Sequence, residues 1–224
     1  MINIILAGLL GLPCLAVVVV TAPVVAVLSI PSLLLLTFRK QNDDKKNDRS
    51  SMPPRHVIVV GGSSGIGLSI AKECARRNIA KISIIARNQR KLDQAKKEIE
   101  TEIPASTETT TIPSSKINAI SVSVTDFDAL EKVAASICTE DDRTVLFNCA
   151  GIPYTTEFDN VPVEKYLSLV ETNQLGAMYV ARAFLSHMAT GCIVFCSSAA
   201  GQVGMYGYTA YAPTKYAIRG FAET

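Results

Sequence analysis

The hydrophobic pattern divides the 224 residues in two. Residues 1–38 form one apolar run, interrupted by Pro13, Pro23 and Pro31. Beyond residue 55, short apolar blocks alternate with longer segments whose apolar residues recur every three or four positions. Residues 57–60 are a β-branched block suited to a strand buried on both faces. Residues 61–67 are a glycine-rich turn. Residues 68–78 have helical spacing, with Leu68, Ala71 and Ala75 on one face. Residues 81–86 predict a second strand. Asn88 can cap a helix to about Glu102 that gathers Leu92, Ala95 and Ile99. The Ser/Thr/Pro-rich residues 103–116 read as a solvated loop. A third strand follows at 117–124, a helix at 126–138, a strand at 145–149, a long helix at 162–188 and a fifth strand at 192–197. From Thr209 the spacing is helical again. Strands that alternate with helices predict a doubly wound, Rossmann-type parallel sheet covered on both faces.

Charge sharpens the division. All 22 basic and 20 acidic residues lie after Phe38, while 28 of the first 38 residues are hydrophobic. A bilayer core needs about 20 helical residues, so residues 1–38 predict a transmembrane anchor, as one long span or a hairpin. A cleaved signal peptide would need a basic start, and Lys and Arg are absent there. Arg39, Lys40, Lys45, Lys46 and Arg49 follow the run, which puts the following domain on the cytosolic side. Residues 39–55 are a polar linker and 56–224 the globular domain. The net charge of +2 argues against a nucleic-acid binder held by charge. The six cysteines show no metal spacing and read as free thiols in a reducing compartment. No metal site is expected, and His56 and His187 read as structural. Lys91, Lys96 and Lys97 read as a solvated helix face, and Tyr206 and Tyr208 as residues that either pack or touch a substrate.

Gly61-x-x-x-Gly65-x-Gly67 follows a strand and opens a helix, the context of a dinucleotide-binding turn. Gly61, Ser63, Ser64, Gly65, Ile66 and Gly67 are its candidate cofactor contacts, although such a loop alone could also be a structural turn. The second strand ends in Ala86-Arg87-Asn88, without the acid that pairs with a free ribose hydroxyl. Arg87 offers a forked donor to a 2′-phosphate, which favours NADP(H). Tyr211 and Lys215 stand four apart on one helix face, and Ser198 lies at the end of the fifth strand.

Gly61-x-x-x-Gly65-x-Gly67, Asn148-Cys-Ala-Gly151, Asn173, Ser198 and Tyr211-x-x-x-Lys215 occur in one order. With that order, residues 56–224 resemble the short-chain dehydrogenase/reductase family. The resemblance implies that Tyr211 protonates a carbonyl oxygen as hydride arrives. Lys215 would stabilise the phenolate and bind the nicotinamide ribose, Ser198 would hold the substrate oxygen, and Asn173 would hold a relay water. Asn148, Ala150 and Gly151 would line the cofactor cleft. Val60 replaces the Thr usual before the first glycine, and Ser123 the Asp usual at the adenine.

Within the family, residues 61–67, 86–100 and 193–223 resemble a membrane-bound branch. Its members reduce a long-chain sphingoid ketone with NADPH on the cytosolic face of the endoplasmic reticulum. The implied partners are a long-chain ketone lipid and the membrane, with a possible homo-oligomer through the long helices. A ketosteroid or retinoid reductase and a catalytically silent dinucleotide-binding protein are the alternatives. The family pattern continues past a sixth helix, so the domain is expected to be C-terminally truncated and, alone, unstable and inactive.

Overall fold

The computed structural model describes residues 4–6, 14–18, 54–103, 116–139 and 143–224. Its strands are β1 (Ile4–Leu6), β2 (Cys14–Val18), β3 (His56–Val60), β4 (Lys81–Ala86), β5 (Ile117–Ser121), β6 (Arg143–Asn148) and β7 (Thr190–Cys196). They form one sheet in the order β1-β2-β7-β6-β3-β4-β5. Strands β3 to β7 pair only in parallel, β2 joins β7 in parallel, and β1 returns antiparallel to β2. The helices are α1 (Gly65–Arg76), α2 (Gln89–Glu100), α3 (Phe127–Ile137), α4 (Val163–Leu169), α5 (Gly176–Leu185) and α6 (Ala212–Glu223). This is the Rossmann-like α/β arrangement that the alternating pattern predicts.

The unbroken apolar run in β3 has a geometric cause. Side chains alternate across a strand. Val57 and Val59 enter the core layer with Ala71, Cys74, Leu92 and Ile99 of α1 and α2. Ile58 and Val60 enter the opposite layer with Leu130, Val180, Phe184 and Ile218 of α3, α5 and α6. A strand covered on both sides has no solvent face on which a polar residue is favoured. Each buried aliphatic side chain contributes about 1.5–3 kcal/mol. Strand β3 sits between β4 and β6, so connections leave it in both directions. The crevice at that reversal, beyond the carboxyl ends of β3 and β6, is where ligands bind in open α/β sheets.

The long helix differs from its sequence expectation. Residues 162–188 do not form one regular helix; a π-helical segment, Val170–Leu175, separates α4 from α5. The wider turn buries Asn173 and aims it at the crevice. Gly176 follows, where a Cβ would lie 2.7 Å from Cγ2 of Val124. That close approach seats α5 on the turn after β5. Strand β5 also stops at Ser121, three residues short of the expected end. The N-terminal run differs too. Of residues 1–38 the structure describes only β1 and β2, and no helix among the described residues is long and apolar enough to cross a membrane. The rest of the expected anchor, and the linker up to residue 53, lie outside the described residues, as do residues 104–115 of the expected loop.

Candidate active site

A cleft of about 560 Å³ opens at the crevice. Its floor is the glycine loop between β3 and α1. The backbone N–H of Gly61 donates to the Ile85 carbonyl at 2.7 Å, tying the loop to β4. Gly61 has φ +81°, and a Cβ there would lie 2.7 Å from the Ala150 nitrogen. A Cβ on Gly67 would overlap the Gly61 carbonyl oxygen. Two backbone segments meet there with no room for side chains. Gly65 is different: its φ is +55°, and its missing Cβ leaves open space. That space is the cradle that a pyrophosphate needs at a helix N-terminus. Ser64 precedes α1 without a side-chain cap bond, so its hydroxyl can serve an anion.

Gly61, Ser63, Ser64, Gly65, Ile66, Gly67, Arg87, Ala150 and Gly151 all line the cleft. Asn88, Lys91, Thr172 and Ile152 line it as well. Lys91 is the residue that sequence reasoning missed. It is exposed, as a solvated helix face predicts, and it lines the cleft as well, where Asn88 caps α2 by accepting from the Lys91 N–H at 3.0 Å. The cap turns the first helical turn toward the strand end and brings Lys91 beside Arg87. The Asn88 cap is legible in the sequence, but the direction in which the capped turn faces is not. Ser123 is not brought to the cleft lining; Val122 and Val124 on either side of it are. Its hydroxyl hydrogen-bonds with Oγ1 of Thr125 at 2.8 Å and accepts from the Thr125 N–H, so it holds a turn. Asn148 is buried, and its side-chain oxygen accepts from the Ala150 N–H at 3.3 Å, shaping the loop that meets Gly61.

The second half of the site joins β7 to α6. Ser198 follows β7 and accepts from the Ala200 N–H at 3.2 Å. Its hydroxyl also hydrogen-bonds with Tyr211. Ser197 donates to the Lys215 carbonyl at 3.1 Å, which ties the first turn of α6 onto the strand end. Tyr211 is half-buried. Burial, the largest influence, holds its hydroxyl above the ordinary tyrosine range; the Ser198 hydrogen bond opposes this, and Cys196 and Tyr208 add to it. Lys215 is buried, and burial pushes its ammonium below the ordinary lysine value against the opposing influence of Cys196 and Cys149. Its Nζ donates to the Cys196 carbonyl at 2.9 Å and lies 5.7 Å from the Tyr211 ring centroid. The Cys196 carbonyl thus holds the ammonium on the Tyr211 side of the site.

Asn173 ties the two sides of the site together. Its Oδ1 accepts from the Ile152 N–H at 2.8 Å, and its Nδ2 donates to the Ile152 carbonyl at 3.0 Å and to Oγ1 of Thr214 at 3.2 Å. Thr214 in turn donates to the Tyr211 carbonyl at 2.7 Å. The side-chain amide is a clamp between the cleft wall and α6. A Cβ on Gly151 would meet both Asn173 Oδ1 and Lys215 Nζ, at 3.2 and 3.6 Å, so the two halves abut there. The histidines are structural: His56 hydrogen-bonds Ser83, and His187 meets Glu131. Among the described residues no cluster could hold a metal ion.

Known proteins share this layout. Over 168 residues the chain is 40% identical to a 3-dehydrosphinganine reductase of Danio rerio, covering 73% of this chain and 48% of that one. A 3-ketodihydrosphingosine reductase of Bos taurus is also 40% identical, with the same coverage of both chains. The chain thus spans about half the length of the curated relatives it matches. A solved structure of the closed form of a serine dehydrogenase complexed with NADP+ is 26% identical with a TM-score of 0.60, covering 74% of this chain and 63% of that one. The sequence pattern of the short chain dehydrogenases matches residues 55–224, and with the glycine cradle and the Ser198, Tyr211 and Lys215 cluster in place, the chain belongs to the short chain dehydrogenase family.

Proposed function

We propose that the chain belongs to an NADP(H)-dependent oxidoreductase that reduces 3-ketosphinganine to sphinganine. One observation carries the reading: a cleft with a glycine cradle and with Arg87 and Lys91 in its lining abuts, at Gly151, the Lys215 that shares a helix with Tyr211 and lies beside Ser198. The cradle fits a dinucleotide, since a Cβ on Gly65 would fill the space that phosphate oxygens need. The Ala86-Arg87-Asn88 strand end has no acid, and two basic residues at the rim suit a 2′-phosphate. The curated relatives, 40% identical, carry the names of 3-ketosphinganine reductases.

The glycine loop, Arg87 and Lys91 would hold a nicotinamide dinucleotide, which would supply hydride to the carbonyl carbon. The chain's residues manage the oxygen. Ser198 donates a hydrogen bond to it, and Tyr211, kept protonated by burial, hands over its proton as negative charge develops. Lys215 then faces a transient phenolate with its ammonium, and Asn173 and Thr214 fix the backbone of Tyr211. Asn148, Ala150 and Gly151 form the wall opposite the glycine loop.

A substrate with a long alkyl chain partitions into lipid, so the uncharged residues 1–38 are proposed to hold the domain at the endoplasmic reticulum membrane, facing the cytosol. A homo-oligomer through the long helices is also proposed, since Val163 and Leu167 of α4 are 79% and 62% exposed one turn apart. Expression of the complete gene in membranes, with NADPH oxidation followed on 3-ketosphinganine and on a ketosteroid, tests the function. Turnover confined to the sphingoid ketone supports it. Turnover confined to the ketosteroid, or none with either ketone, overturns it.

A further inference from the structure

The mechanism above leaves one pair of reactive groups unused. Strands β6 and β7 run in parallel and in register through Asn148↔Phe195. The next residues, Cys149 and Cys196, therefore stand abreast at the strand ends. Cys149 continues the ladder by donating its N–H to the Val60 carbonyl at 2.8 Å, so it is held in place. It packs against the core layer that contains Cys192 and Val194. Those residues lie four and two positions before Cys196, on the same face of β7. The two thiols are near enough to shift one another's titration in opposite directions. Neighbouring strands are about 4.8 Å apart, within the roughly 4.4–6.8 Å that Cα atoms span across a disulfide. Both are free thiols and partly exposed, and Cys149 lines the cleft.

We propose that Cys149 and Cys196 are an oxidant-sensing dithiol, closed to a disulfide by a hydroperoxide, whose closure weakens cofactor binding. Cys196 is the attacking sulfur. Cys149, the largest influence, and the Lys215 ammonium bring its thiol down to about 7 against burial. Cys149 itself is held well above the ordinary thiol value. Cys74 is the contrast: burial pushes it up to about 12, and it is fully enclosed. Thiolate character and access decide which cysteine reacts.

The chemistry balances with hydrogen peroxide as oxidant. The Cys196 thiolate attacks one peroxide oxygen, the O–O bond breaks, and the departing hydroxide takes a proton to become water. This leaves a sulfenic acid. The Cys149 sulfur attacks the Cys196 sulfur, the S–O bond breaks, and the hydroxide leaves with the Cys149 proton as a second water. Two thiols have lost two electrons and two protons, and one peroxide has become two waters. The new bond acts on both halves of the site. Cys149 is fused to Ala150 and Gly151, which abut Gly61 and Lys215. The Cys196 carbonyl holds Lys215. The affinity consequence rests on the cofactor reading above; the covalent step does not.

The test treats the complete enzyme with a small excess of hydrogen peroxide, alkylates it and maps it without reduction. The expected result is a Cys149–Cys196 linked peptide pair lighter by two hydrogens, formed before Cys74 is modified and reversed by dithiothreitol. NADPH titration by fluorescence should show roughly fivefold or greater weakening on oxidation, restored by reduction. Cys196→Val and Cys149→Ala, each compared with itself before and after peroxide, should show no oxidation-dependent loss. Unlinked thiols that alkylate as fast after peroxide as before, or sulfinic acid at Cys196 without a link, overturn the dithiol. A disulfide with unchanged NADPH affinity overturns its coupling to the cleft. A reduced chain that never binds NADPH defeats the cofactor reading instead, and the peptide map still decides the dithiol.

Discussion

The two halves of the site, the cleft and the cluster that abuts it at Gly151, are built from different materials. The phosphate half, between β3 and α1, is almost entirely backbone: Gly65 and Gly67 open a helix N-terminus, Gly61 lets the loop meet Ala150, and no charged side chain is buried there. The catalytic half, between β7 and α6, is side chain. It buries Lys215, half-buries Tyr211 and moves both away from their ordinary titration. Backbone recognition suits a group that is only bound, because its dipoles are fixed and carry no proton. Proton transfer needs a group whose ionisation the surroundings can tune. The first half should therefore fail sterically when altered, and the second chemically.

The largest effect should come from Tyr211→Phe. It keeps the ring and removes the proton, so kcat in the complete enzyme should fall about 10²–10⁴-fold. NADPH affinity should stay within about twofold, because the phosphate half is untouched. An affinity loss as large as the rate loss would erase the division.

Gly65→Ala tests the other half. The backbone at φ +55° resists a Cβ, at about 1–2 kcal/mol. That Cβ also enters the space meant for phosphate oxygens, so NADPH affinity should drop about tenfold or more, beyond what the stability loss explains. Denaturant unfolding and NADPH titration on one preparation separate the terms. Equal affinity for wild type and Gly65→Ala would remove the cradle from this loop. At the rim, Arg87→Ala should weaken NADPH about tenfold and NADH little, since only the former brings a 2′-phosphate. Lys91→Ala should show the same preference to a smaller degree, because an ammonium lacks the fork. Equal losses for both cofactors would overturn the 2′-phosphate role.

The same division explains what the sequence made legible. Strands β3 to β7 were readable because burial on both sheet faces leaves little alternation to interpret, and the glycine loop because only glycine meets its steric demands; β1 and β2 were not, since the apolar run that holds them reads as an anchor. Asn173 was legible as a position and not as a geometry. Its clamp on Ile152 depends on a π turn, which arises where α5 settles on Val124 through Gly176, a tertiary contact invisible to periodicity. Lys91 was hidden by its helical pattern, which fits a solvated face equally well. The Cys149–Cys196 pair needs the β6–β7 register, and 47 positions separate the two in the chain. Side-chain function assembled across elements is what single-segment reading loses, and the catalytic half is assembled that way.

The smallest effect is the most specific to the catalytic half. Burial lowers Lys215 from its ordinary value near 10.5. Between the lowered folded value and the unfolded one, the unfolded chain holds the extra proton, so this group makes stability rise with pH across that window. Below it, the buried ammonium weighs against the fold by a constant amount. Lys215→Met removes the charge and keeps the packing, so at pH 7 its Tm should be about 1–3 °C higher than wild type. The gap should narrow as pH climbs toward 10.5. Tyr211, held above its ordinary value, makes stability fall as pH rises past 10, but it does so in both proteins and cancels in the difference. Gly65→Ala carries no such proton, and its stability deficit should stay flat over the same range. A pH-independent gap for Lys215→Met would mean that the ammonium is not held at a cost, and the contrast between a backbone half and a titrating half would lose its energetic basis.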